Sequence, residues 1–204
     1  MLKRTKGRLL LTLLVVTGLA GTLNNSSLSQ KERKQAIILM KSSRNEVLQS
    51  ISGLSSKQLN YKHSSEYLSI NQLILRMAQV EEKCGVEISN IMRQPADAEN
   101  RLKITLTDDR LTENRSYSIW KMNVTEDNRT TGNNPAKAIK EFMTLRNDHI
   151  KYIRTSTEDL RNHVVLTHAG WIDCYQYFLL LADQSNYFAK EINKIKSLAH
   201  FPKE

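Results

Sequence analysis

The apolar positions of the chain fall into four stretches that have the spacing of a helix. In the clearest stretch, from residue 172 to residue 196, Phe178, Leu181, Phe188 and Ile192 follow one another at intervals of three, four or seven positions. Residues at these intervals lie on one face of a helix, and an apolar face must be buried against other helices. The stretch therefore predicts a long helix of a bundle.

The three earlier stretches begin with signals typical of helix starts. Ser29 with Glu32, and Ser69 with Gln72, match the capping box, in which each of the two side chains satisfies a free backbone amide. Asn134-Pro135 is a suitable cap and first-turn pair for a third helix. Long helices are thus predicted to begin at these three places.

The segments between the long helices are less regular. From residue 93 to residue 133 the helical spacing fails, and we expect only a short helix, near residues 107–115. One or two helical turns are expected at residues 157–162, followed by a turn at 167–171, after which Asp173 can cap the last helix. Since no alternating strand pattern is visible, the chain is predicted to be all-α, a four-helix bundle with a long crossover between its second and third helices.

The first 20 residues differ in composition from the rest. Four basic residues among the first eight precede an apolar run over residues 9–20, as in a secretory signal peptide. The run is short for a membrane span, and an uncleaved N-terminal anchor is the alternative. We expect a signal peptide at residues 1–20, a linker at 21–28 and one bundle domain at 29–200, located in the periplasm or outside the cell.

The charge of the chain is mostly a property of its surface. The formal net charge is +9, and the predicted signal segment holds four basic residues and no acidic one, which leaves +5 for the mature domain. Lys and Arg are mixed with Asp and Glu along the helices, an arrangement typical of a solvated surface. We therefore expect no nucleic-acid partner.

The chain has two cysteines, Cys84 and Cys174. An exported domain can oxidise such a pair to a disulfide, and two buried thiols that act as small apolar residues agree equally well with the sequence. No Cys-x-x-Cys motif occurs and neither cysteine has a histidine close by in sequence, so a cysteine nucleophile is not expected.

Several segments, in order, resemble the DinB-like superfamily, specifically its exported bacterial branch. They are SQKERKQAI, GLSSKQLNYK, EYLSINQLILRMAQVEE, TEDLRNH and GWIDCYQYFLLLADQSNYFAKEINKIK, which lie between about Ser29 and Lys196. The resemblance implies a four-helix bundle with a central pocket and, often, a homodimer. It also implies a divalent metal such as zinc or nickel, bound by one histidine of the second helix and two histidines, four apart, of the last helix.

Carried over to this chain, the three histidine positions fall on Arg76, Gln184 and Phe188. A phenyl ring cannot bind a metal, a guanidinium repels it, and an amide is a poor substitute for imidazole. We therefore expect no metal, no cofactor and no catalytic residue, as in a pseudoenzyme.

The chain's five histidines show no ligand spacing with one another: they are His63, His149, His163, His168 and His200. His149 is expected to be a satisfied core residue of the third helix.

Arg76 needs hydrogen-bond acceptors if it is buried, because an unpaired buried charge costs several kcal/mol. It is expected either to bond Gln184 and a carboxylate such as Asp148 in place of the metal, or to pack its stem and extend its head into water. If a pocket stays open there, Arg76, Gln184 and Tyr187 are suited to a small anion. If Phe188 fills it, the site is solid core, and this is the version we favour.

The sequence as a whole predicts an exported, non-catalytic binding or interaction module. Two alternatives stay open: a DinB-type metal-dependent hydrolase or thiol S-transferase with a displaced site, and a receptor for a small anionic ligand. The ligand and any protein partner beyond a second copy are not identified by the sequence.

Overall fold

The computed structural model describes residues 28–64, 67–112, 134–167 and 170–203. The elements of these ranges are α1 (Gln30–Ile51), α2 (Ser56–Leu59), α3 (Ile70–Met92), α4 (Ala98–Arg101), α5 (Asp108–Thr112), α6 (Pro135–Thr155), β1 (Val164–Thr167), β2 (Gly170–Asp173) and α7 (Cys174–Lys196). The long helices α1, α3, α6 and α7 form the bundle, which confirms the predicted all-α class. The predicted signal segment and about half of the crossover, residues 113–133, lie outside the described residues.

The long helices begin at the caps that the sequence predicts. Ser29 and Ser69 complete their capping boxes, and Asp173 forms a third one at the start of α7. The side chain of Asn134 accepts a hydrogen bond from the third residue of α6. Gly53, two residues after α1, has a φ of 75°, a conformation that glycine adopts without the strain of a side chain.

A hairpin between α6 and α7 corrects the sequence expectation for this segment. β1 pairs with β2 in antiparallel fashion, with Val164 opposite Asp173 and Thr167 opposite Gly170. Thr167 pairs with Gly170, so the chain reverses within the turn expected at 167–171, but the turn joins two strands that were not expected. Residues 157–162 form bends and turns rather than the expected helical turns. Strands of four residues are too short to show a reliable alternation in sequence. The tip of the hairpin, residues 168–169, lies outside the described residues.

Each long helix packs against two others. α1 packs against α7 and α6, and α3 packs against the same two helices. The apolar core is divided into two clusters. One surrounds the first half of α7 and includes Cys84 and Leu179, and the other surrounds its second half and includes Ile74 and Phe188. The first half of α1 and the second half of α3 belong to the cluster around Cys84 and Leu179, and their other halves belong to the cluster around Ile74 and Phe188. The two helices α1 and α3 therefore run in opposite directions.

The exposed large apolar side chains of the described residues lie on different segments of the chain. They are Ile38, Tyr67, Val86, Leu102 and Leu166. No helix in the described ranges is both long enough and apolar enough to cross a membrane.

Candidate functional site

A layer of buried polar side chains lies between the two apolar clusters, centred on Arg146 of α6. Its guanidinium is fully buried. Nε donates to Glu81 Oε1 of α3 at 2.9 Å, and Nη2 donates to the same oxygen. The guanidinium also donates to four oxygens of α1 and α7, namely Ser43 Oγ, Met40 O, Ser185 Oγ and Leu181 O. Arg146 thus binds all three other long helices.

Glu81 is an ionised carboxylate in spite of its burial. Burial by itself raises the pKa of this group, but the charge of Arg146 and the hydrogen bonds from His149 and Arg146 outweigh it, so that the pKa lies below the ordinary 4.5. The second oxygen of Glu81 lies 2.9 Å from His149 Nδ1. An ionised carboxylate can only accept hydrogen bonds, so Nδ1 carries a proton and donates it. The carboxylate therefore fixes the orientation of the imidazole.

His149 also lines a cavity of about 420 Å³ between α3, α6 and α7, which we call the His149 cavity. Its interior is lined by His149 together with Gly85, Ile88, Met92, Tyr152 and Phe178. Among the described residues, His149 Nε2 has no hydrogen-bond partner. A Cβ built on residue 85 would lie 3.0 Å from this nitrogen, which is closer than carbon and nitrogen normally approach. Glycine at this position therefore leaves space beside Nε2.

The mouth of the His149 cavity carries three exposed charged residues, Arg93, Asp148 and Glu158. Glu158 accepts a 2.5 Å hydrogen bond from the hydroxyl of Tyr152. Burial, followed by this bond to Glu158, raises the pKa of Tyr152 above its usual range, so the phenol stays protonated. Within the described ranges, the side chains of Arg93 and Asp148 make no ion pair or hydrogen bond.

The residues that the sequence assigned to a ligand pocket lie in the other half of the bundle. Phe188 is only 2% exposed and belongs to the apolar cluster of the second half of α7. Gln184 is also buried, and the half-buried Tyr187 places its ring edge-to-face against Phe188, with 5.9 Å between centroids. The favoured expectation, that Phe188 belongs to a packed core, agrees with this burial.

Of the two arrangements expected for Arg76, the structure does not show the one in which its side chain makes hydrogen bonds. It is half-buried and has no hydrogen bond to Gln184, to Asp148 or to any other described residue. The version in which Arg76 replaces the metal is therefore wrong for this structure. Asp148 is on the exposed face of α6, and the guanidinium buried in the centre of the bundle is that of Arg146.

The three positions that the resemblance assigns to metal ligands do not fit a divalent cation. They carry a guanidinium, an amide and a phenyl ring, of which only the amide oxygen can approach a cation. In the parts of the chain that the structure describes, no three His, Cys, Asp or Glu side chains are grouped so that they could hold a metal ion.

Cys84 and Cys174 are free, buried thiols, so the disulfide that the sequence left open is not formed in the structure. Burial, with a smaller contribution from the charges of Asp173 and Glu158, raises the pKa of Cys174 to about 12. Burial and the charge of Glu81 raise the pKa of Cys84 well above its usual value. Because the thiolate is the reactive form, neither residue is suited to act as a nucleophile.

The sequence interpretation missed Arg146 and Glu81, although a signal for both is present. Arg146 lies four residues from Phe142 and four from Ile150, and both of these are buried. Glu81 likewise lies four residues after the buried Met77. A charged residue on an apolar helical stripe indicates a buried ion pair, because such a charge must be compensated. The partner cannot be deduced from spacing alone.

These elements define the class of the protein as a four-helix bundle. Among solved structures, the chain is similar to YfiT from Bacillus subtilis, described as a probable metal-dependent hydrolase with an unusual four-helix bundle topology. The TM-score is 0.56, the sequence identity is 13%, and the similarity covers 83% of this chain and 89% of that chain. At this identity the likeness shows the fold alone. No family model and no curated protein sequence matches the chain.

Proposed function

We propose that this protein is a binding module built on the DinB-like bundle and that it lacks the metal-dependent activity described for YfiT. The observation that carries the proposal is the position of Phe188. Its side chain is 2% exposed and lies in one cluster with Met77 and Phe142. An apolar ring therefore occupies the interior where the resemblance places a metal-binding histidine, and it offers no donor atom.

The arrangement around His149 supports a binding role rather than hydrolysis. The Glu81–His149 pair resembles the oriented base of a hydrolase, and Ser89 lines the same cavity. A serine nucleophile, however, needs a hydrogen bond to its base. Within the described residues the hydroxyl of Ser89 makes no hydrogen bond. A hydrogen-bonding group that faces an apolar cavity is a feature of ligand sites in general.

We also propose that the protein is exported and that it forms a homodimer. The support for export is the N-terminal pattern of residues 1–20, and the support for a dimer is the resemblance described above. Sedimentation velocity of the purified protein distinguishes a dimer from a monomer.

Metal binding tests the proposed loss of the metal site. The full chain, expressed in medium that contains zinc and nickel, is purified without chelators and its metal content is measured by mass spectrometry. We expect far less than one metal ion per chain, because the three ligand positions supply no imidazole. The variant Arg76→His/Gln184→His/Phe188→His, which supplies the full ligand set, is the matched comparison and should bind more metal.

One zinc or nickel ion per chain in the unmodified protein, retained after dialysis, would overturn the proposal and favour a displaced hydrolase or transferase site. If the triple variant unfolds, as shown by circular dichroism, the measurement on the unmodified protein still decides the question.

A further inference from the structure

The geometry points to a ligand site in the His149 cavity, and we propose that it binds a small, neutral aromatic molecule that carries a hydroxyl group. This inference rests on the proposed binding function and names its ligand class. It depends on four features of the cavity: one free acceptor, access to that acceptor, an aromatic wall, and the charges at the mouth.

The acceptor is His149 Nε2. Since Nδ1 donates to Glu81, a neutral imidazole has its lone pair on Nε2. Glu81 is also paired with Arg146. The side chain of His149 keeps 11% of its surface exposed. A ligand that donates a hydrogen bond, such as a hydroxyl, is therefore the complement of this nitrogen.

Access to the acceptor depends on Gly85, which is in the interior of α3. Glycine is unfavourable in a helix interior by roughly 1 kcal/mol relative to alanine. Here a methyl group would lie 3.0 Å from Nε2 and cover the nitrogen that the ligand needs. The glycine thus weakens the helix at a place where a side chain would lie against the acceptor nitrogen.

The wall of the cavity favours a flat, apolar ligand. The ring of Phe178 lies 5.8 Å from the ring of His149 and 6.0 Å from that of Tyr152, measured between centroids. Ile88 and Met92 add aliphatic surface. Aromatic ligands gain dispersion energy and favourable ring contacts on such a surface. A volume of about 420 Å³ is enough for a molecule with two fused rings.

The charges at the mouth disfavour an anion. Asp148 and Glu158 supply two carboxylates against the single guanidinium of Arg93. Since carboxylates repel an incoming anion, a neutral ligand is favoured over a carboxylate or a phosphate. The small-anion receptor suggested by the sequence therefore has no counterpart in this cavity.

Three probes of similar size test the ligand class by calorimetry on the purified full chain at pH 7.5. They are 2-naphthol, which donates a hydrogen bond; quinoline, which only accepts one; and 2-naphthoate, which is an anion. We expect 2-naphthol to bind with a dissociation constant below about 1 mM. Quinoline should bind at least roughly fivefold more weakly, the value of one hydrogen bond, and 2-naphthoate more weakly still.

The variant Gly85→Ala tests the site itself. It should weaken the binding of 2-naphthol at least about tenfold, because the methyl group covers His149 Nε2, while the helix itself becomes more stable. Val86→Ala is the matched control, since Val86 is the next residue of α3 and is exposed. It should bind 2-naphthol like the unmodified protein. The ¹⁵N chemical shift of His149 Nε2 should move when 2-naphthol binds.

Tighter binding of quinoline or 2-naphthoate than of 2-naphthol would overturn the proposed ligand class. Equal binding of 2-naphthol by Gly85→Ala and the unmodified protein would overturn the site, as would the absence of any binding at millimolar probe. None of these results changes the metal content of the protein, so failure of this inference is distinguishable from failure of the proposed loss of the metal site.

Discussion

The buried guanidinium of Arg146 connects the four long helices of the bundle through its hydrogen bonds. A buried ion pair gives little net stability by itself, because desolvation of both charges offsets their attraction. Removal of one partner, however, leaves the other charge buried and uncompensated. Arg146 is 0% exposed and Glu81 is 1% exposed, so neither can turn to water without disrupting the packing of four helices.

Replacement of Glu81 by Gln should therefore lower the free energy of unfolding at pH 7 by about 3–5 kcal/mol. The change keeps the shape of the side chain but leaves Arg146 without its countercharge and His149 Nδ1 with a weaker acceptor. Urea unfolding followed by circular dichroism measures the loss. Glu82→Gln, on the exposed side of the same helix, is the control and should change stability by less than about 0.5 kcal/mol.

The effect of Glu81→Gln should depend on pH in a defined direction. The pKa of Glu81 is lower in the folded protein than its ordinary value of 4.5, so its contribution is fully present above pH 4.5 and is lost as pH falls through the lowered value. The difference between variant and unmodified protein should thus narrow below pH 4.5. A difference that stays constant down to pH 3 would contradict the assigned ionised state.

At the scale of elements, a second arginine, Arg161, forms ion pairs with carboxylates at the starts of three helices. Arg161, in the segment between α6 and β1, binds Glu32 at the start of α1, Asp108 of α5 and Asp173 at the cap of α7, at 2.5–2.8 Å. Its guanidinium also stacks over the ring of Tyr175, 4.1 Å from the centroid. Glu32 and Asp173 also belong to the capping boxes of α1 and α7. The ion pairs of Arg161 therefore hold the starts of these two helices next to each other.

Arg161→Met should lower the free energy of unfolding by about 2–4 kcal/mol, because it leaves three neighbouring carboxylates without their cation. The expected loss is smaller than for a fully buried pair, since Glu32 and Asp108 are about 30% exposed. Arg161→Lys keeps the charge without the planar fork and should recover part of the loss. Arg154→Met, on the exposed face of α6, is the control. Equal urea midpoints for Arg161→Met and Arg154→Met would show that the cluster adds no stability.

At the scale of the whole molecule, the polar layer divides the bundle into two unlike halves. The half around the end of α7 is filled by Phe188 and its apolar neighbours, and the half around the start of α7 contains the His149 cavity and both cysteines. The position that the resemblance gives to a metal and the cavity that we propose for a ligand are thus on opposite sides of Arg146.

Export and thiol state can be measured together on the whole molecule. Protein expressed as the full chain in a bacterium and recovered from the periplasm should have lost a mass equal to residues 1–20.

Without reductant, both thiols should be unreactive toward a thiol reagent at pH 8 in the folded state, because burial raises the pKa of both cysteines. After unfolding, two thiols should react per chain. A chain with no reactive thiol after unfolding contains the disulfide that the structure lacks.

Much of the fold could be read from the sequence because its signals are local. A capping box depends on two side chains three residues apart, and an apolar stripe depends on residues within two or three turns. For this reason Ser29, Ser69, Asn134 and Asp173 begin the long helices where they were predicted to begin. The hairpin was missed because each of its four-residue strands is stabilised mainly by the other strand rather than by its own sequence.

The sequence by itself determined the long helices and their caps, and it carries a guanidinium, an amide and a phenyl ring at Arg76, Gln184 and Phe188, the positions that the resemblance assigns to metal ligands. Only the tertiary structure decided which charges are buried and which residues share a cavity. Arg146 and Glu81 are 65 positions apart, and Gly85 meets His149 across two helices. Such pairs form through packing of the whole bundle, and no spacing within one helix specifies them.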